Sequence, residues 1–113
     1  MSVASCVKAV SIMVVLLTIT AGAADIHWTG PTADYTNTAY WDAGRVPGSS
    51  DNAINDNSTN NMVQISPGDP DWTINDLRIG NSTGDGAFTQ NGQALTVNGC
   101  LRLGVATNRT GIY

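Results

Sequence analysis

The 113-residue sequence predicts an all-β fold, a single-stranded right-handed β-solenoid (β-helix) segment with an N-terminal aromatic cap, behind a helical signal peptide. Three observations carry that expectation. Segments of the second half recur in the same order at spacings of 23 to 25 residues. Apolar residues there alternate in short runs broken by Gly and Asn, as in strands joined by tight corners. Residues that favour exposed helix faces are almost absent: all nine acids are Asp, there is no Glu, and the basic residues are Lys8, Arg45, Arg78, Arg102 and Arg109.

The chain opens with one cation, Lys8, an apolar run from Ala9 to about Ile19, and the small residues Ala21-Gly22-Ala23-Ala24. Positive start, short apolar core and small-residue end are the three parts of a secretory signal, predicting cleavage after Ala23 or Ala24. The run falls short of the ~20 apolar residues needed to span a bilayer, so membrane contact is expected to be transient and the product secreted or at the cell surface. Cleavage would remove Cys6 and leave Cys100 as the only thiol, which excludes a disulfide framework and predicts a small buried hydrophobe. It would also leave nine Asp against four Arg. An acidic chain without a basic patch is a poor partner for nucleic acid.

After the signal, residues 1–24, two regions follow. Residues 25–61 are rich in aromatic and turn residues and are expected to form the cap and a loop region. Residues 62–113 are expected to form about two coils, cut off at the C-terminal side. Leu77-Arg78-Ile79-Gly80 returns as Leu101-Arg102-Leu103-Gly104, Trp72-Thr73-Ile74-Asn75 as Leu95-Thr96-Val97-Asn98, and Gly86-Ala87-Phe88 as Gly111-Ile112-Tyr113. Strands near 77–79, 88–90 and 95–97 in each period describe one coil, with equivalent strands stacked ~4.8 Å apart. The later copy holds one more residue between Val97 and Leu101 than the earlier one holds between Ile74 and Leu77, which predicts a phase reset near Gly99. A meander of hairpins is the alternative; Asn91-Gly92 and Asn98-Gly99 would suit its turns.

The stretches Ile26-His27-Trp28-Thr29-Gly30, Tyr40-Trp41-Asp42 and Gly44-Arg45-Val46-Pro47-Gly48-Ser49-Ser50-Asp51-Asn52-Ala53-Ile54 resemble the opening of large secreted bacterial β-helix proteins with autotransporter-type or PEP-CTERM-type repeats. Gln93 to Gly104 resembles one of their coils with one residue added. The resemblance implies the N-terminal part of a longer extracellular protein. It is weakly specific for activity, since such coils serve adhesins, surface material and polysaccharide enzymes.

Few side chains suit chemistry. His27 is the only histidine and reads better as a polar strand residue than as a general base. No nucleophile elbow, phosphate loop or zinc-spaced cluster occurs. Asp51 to Asn61 is dense in oxygen ligands but fails the order of a calcium loop, so a solvated loop is expected. Trp28, Tyr40 and Trp41 are candidates to stack on sugar rings of an extracellular polysaccharide; the competing role is to cover the apolar end of the first coil. Trp72 is expected in the core, and Arg78 and Arg102 on one outer face. Catalytic, metal and cofactor residues are not assigned. The expected function is a non-catalytic structural or adhesive segment; the alternatives are the non-catalytic start of a β-helix polysaccharide lyase or hydrolase, or a small carbohydrate-binding module.

Overall fold

The computed structural model describes residues 23–81 and 83–113. The signal peptide therefore lies almost wholly outside the described residues. Among those described, no helix is long and apolar enough to cross a membrane. The strands are β1 (Asp25–His27), β2 (Ala33–Asp34), β3 (Asn52–Asn55), β4 (Ser58–Ile65), β5 (Trp72–Ile74), β6 (Leu77–Ile79), β7 (Gly86–Gln90), β8 (Leu95–Val97), β9 (Leu101–Leu103) and β10 (Gly111–Ile112), with one 3-10 turn at Thr38–Tyr40.

These strands build a β-solenoid of about three turns. One wall runs β1-β3-β6-β9, a second β2-β4-β7-β10, and a third β5-β8. Each pairing between them is parallel, which no hairpin meander provides. Leu77 lies directly against Leu101, Trp72 against Leu95, and Gly86 against Gly111, as the recurrences require. Stacking rungs in register buries the same alternate positions in every turn. Ile26, Ala53 and Leu77 form one inward column with Leu101, and Val63 stacks on Phe88 in the second wall.

The extra residue between Val97 and Leu101 is absorbed at the corner. Asn98 N–H donates to Ile74 O (2.9 Å), Gly99 N–H to Asn75 O (2.6 Å), and Cys100 N–H to the Asp76 carboxylate (2.9 Å). A Cβ at Gly99 would stand 2.1 Å from Asp76 Oδ1, so any side chain there would displace the carboxylate that accepts from Cys100 N–H. The phase resets there and turns Cys100 inward. Cys100 is buried, as expected, but it is disulfide-bonded and therefore not the lone thiol that the sequence predicts.

Two expectations are corrected. Residues 25–61 are more than a cap and loop: β1, β2 and β3 continue the walls, so the stack starts at Asp25 and has about three turns rather than two. Asp51 to Asn61 is not a solvated loop, because residues 52–55 form β3, residues 58–61 open β4, and Asp51 to Asn55 are all buried. Their amides are used inside the stack. Asn52 Nδ2 donates to Asp25 (2.7 Å) and Asn75 Nδ2 to Asn52 Oδ1 (2.9 Å), a side-chain ladder up one corner. Asn55 points into the core and donates to the carbonyls of Asn61 (2.8 Å) and Ala87 (2.7 Å).

Candidate functional site

The aromatic candidates divide. Trp28 and Trp41 are 1% and 2% exposed, so neither offers a ring face on which a sugar could stack. This corrects the carbohydrate-contact assignment at both positions. Their rings meet edge to face at 4.9 Å, and their indole N–H groups donate to Pro31 O (3.1 Å) and Tyr35 O (2.8 Å). Tyr40 is half-buried and packs edge-on against Trp28 at 5.5 Å. That approach depends on Gly30, where a Cβ would lie 2.3 Å from the Tyr40 ring.

Together these residues close the N-terminal end of the stack. The outer edge of β1 is already satisfied: His27 N–H donates to the Asp42 carboxylate and His27 O accepts from Asp42 N–H, both at 2.9 Å. Thr29 N–H donates to Tyr40 O (2.8 Å). The His27 imidazole pairs with Asp56 at 3.1 Å, and Asp56 accepts in turn from Thr83. Thus His27 ties the first rung to the wall below. At the boundary of the expected signal, Ala24 O accepts from Asn52 N–H (2.8 Å); a cut after Ala23 keeps this bond and a cut after Ala24 removes it.

The Gly44 to Ala53 motif turns the corner above the third wall. Arg45 grips Asp51 with two hydrogen bonds (2.5 and 3.1 Å), Gly48 N–H donates to the same carboxylate (2.8 Å), and Pro47 O accepts from the Trp72 indole (2.8 Å). The Arg45 hydrogen bonds, opposed by burial and helped by Gly48, hold the Asp51 carboxyl down to about 2. A carboxyl lowered on folding contributes stability present above its unfolded value of 3.8 and lost as pH falls through about 2. We expect about 2 kcal/mol to disappear between pH 5 and pH 2. Urea midpoints across that range check it: Asp51→Asn should lower stability at pH 7 by a similar amount and flatten this part of the profile.

A second acidic corner lies at the turn before β5. Burial and the neighbouring Asp34 carboxylate raise Asp69, even though Ser66 N–H donates to it at 2.7 Å. Burial works against ionisation of Asp34 as well, but hydrogen bonds led by those from Thr36 (3.0 and 2.7 Å) outweigh it and hold that group low. The Tyr35 hydroxyl between them is raised by burial and by these carboxylates, and donates to Pro70 O at 2.7 Å. Among the described residues, no three His, Cys or acidic side chains converge as metal ligands.

The opposite end of the stack is open. β8, β9 and β10 are the last members of their walls and have no outer partner strand among the described residues. Inward positions that are sealed one rung earlier stand half in water here: Leu77 is 1% exposed and Leu101 50%, Ile79 0% and Leu103 50%, Phe88 1% and Tyr113 48%. An aromatic stack runs through the core to this face. Tyr35 lies on Trp72 (4.3 Å), Trp72 on Phe88 (6.0 Å), and Phe88 on Tyr113 (5.9 Å, planes 2° apart), whose hydroxyl donates to Gln90. Arg78 and Arg102 are vertical neighbours on the first wall. Arg78 pairs with Asp76 (3.3 Å) and Asp25 (3.5 Å), while Arg102 makes no ion pair among the described residues.

Alternation and recurrence marked the inward columns in the sequence. The Arg45–Asp51 clamp and the core-facing Asn55 were missed, because one Asp or Asn in an Asn-rich chain carries no sign of its partner. The chain matches no protein-family profile, no curated protein and no solved structure.

Proposed function

We propose that the chain is a non-catalytic structural or adhesive segment of a secreted or cell-surface β-helix protein, a scaffold that grows by adding rungs at its β8-β9-β10 face. One observation carries this reading: inward columns that are dry in the middle turns reach that face half-exposed, on strands whose outer backbone groups have no strand partner among the described residues. Covering Leu101, Leu103, Ile112 and Tyr113 would contribute about 1 kcal/mol each, beyond new parallel pairing. The signal-like N-terminus and the resemblance to secreted bacterial β-helix proteins support an exterior location. Buried Trp28 and Trp41 leave the carbohydrate-binding alternative without its main contacts.

A second copy of residues 89–113 appended after Tyr113 adds one period in phase with the 25-residue offset between Gly86 and Gly111. Amide exchange at Leu101, Leu103 and Ile112 should slow by at least about a hundredfold, with a steeper urea dependence of unfolding as more surface is buried. Unchanged exchange at those amides would remove the scaffold reading. Fractionation of bacteria expressing the full chain checks the location, and confinement to the cytoplasm would overturn it.

A further inference from the structure

Resting on the scaffold reading, we infer that the open face takes an acidic β-rung: a parallel strand with aliphatic residues over Leu101 and Leu103, a carboxylate opposite Arg102, and a ring over Tyr113. Charge is segregated along the stack. All nine Asp lie at or before Asp85, whereas residues 86–113 carry only Arg102 and Arg109. The capped body is therefore strongly acidic and the open face is basic.

Arg102 is the residue this distribution leaves unanswered. One rung earlier, Arg78 has Asp76 two positions before it as a partner. The pairing of Leu77 with Leu101 puts Cys100 at the place that Asp76 holds, so the last rung supplies no acid. Arg102 Nε is buried with no acceptor, as Arg78 Nε is; the difference between the two is that the terminal nitrogens of Arg78 reach Asp76 and Asp25, whereas Arg102 has no ion pair among the described residues. A carboxylate on an added rung would meet this guanidinium from the open side.

The same charges argue against a second copy of this chain as the occupant. Two open faces meeting about a two-fold axis would bring the Arg102 and Arg109 set of one against the identical set of the other. A head-to-tail copy would meet the Tyr40–Asp42 segment, which already satisfies the outer edge of β1. The occupant is a strand of different composition.

The test uses the full chain and two synthetic peptides of residues 71–90, one unchanged and one carrying Arg78→Asp. In register, position 78 of either peptide lies opposite Arg102, and Phe88 lies over Tyr113. At low salt the R78D peptide should bind at least about tenfold more tightly and slow exchange at the Leu101 and Leu103 amides, with the advantage shrinking near ~0.5 M salt. Arg102→Gln in the full chain should abolish the difference between the peptides. Equal binding of both peptides overturns the acid requirement while leaving rung addition in cis, read by the appended copy, untouched. Failure of the R78D peptide to protect those amides also overturns the inference, as does a concentration-dependent dimer of the free chain that protects them.

Discussion

Trp72→Ala is expected to lower the unfolding free energy by about 4 kcal/mol, the largest effect of any single truncation in this fold. Trp72 is the middle plate of the aromatic stack, lying 19° from parallel with Tyr35 and 13° from parallel with Phe88, with Trp41 tilted against it at 5.9 Å. Removing the indole opens a cavity between two rings that backbone pairing holds apart, so the walls cannot close on it. It also strips Pro47 O of a buried 2.8 Å hydrogen bond and loosens the corner clamped by Arg45 and Asp51. Domains of this size are stable by roughly 5–15 kcal/mol, so the variant should be close to unfolding at ordinary temperature. Urea titration followed by circular dichroism measures the loss. Trp72→Phe keeps a ring in the stack and should recover more than half of it. A loss under about 1 kcal/mol for the alanine variant would show that the stack is not the core.

Asn55→Leu should cost about 3 kcal/mol, although it places a hydrophobic residue of similar volume at a buried site. The amide supplies donors to Asn61 O and Ala87 O, and its oxygen accepts from Asn57 N–H at 3.2 Å. Leucine would leave two carbonyls inside the stack without these donors, each costing on the order of 1–3 kcal/mol. Asn60→Ala is the matched control: Asn60 is exposed on the same segment, and its loss should stay within about 0.5 kcal/mol. Equal effects for the two variants would mean that Asn55 is not buried in solution.

How far each feature could be read from the residues follows from how local its cause is. The rungs at 77–90 and 95–113 were visible because stacked strands repeat their inward positions, so Leu77 and Leu101, or Gly86 and Gly111, share a chemical role at a fixed spacing. The first turn was not visible. Ile26 pairs with Ala53 across 27 residues rather than 24, since the segment from Trp28 to Gly48 is threaded between them to close the end. Ile26, Ala53 and Leu77 share a column without sharing a motif, because an inward position requires only an apolar side chain that fits. Trp28 and Trp41 were legible as large aromatics needing a place, and their depth depended on Gly30 admitting Tyr40 over them.

The amino-acid sequence by itself determined the period of the coil, which residues of each later strand face inward, and the absence of glutamate and lysine surfaces that helices would need. These are properties of an extended chain and its nearest neighbours. Only the tertiary structure decided that Asn55 is a core residue, that Asp51 is clamped, and that one end is sealed while the other stands open. Each of these depends on groups brought together by winding: the carbonyl that Asn55 meets belongs to Ala87, 32 residues away along the chain and one rung away in space.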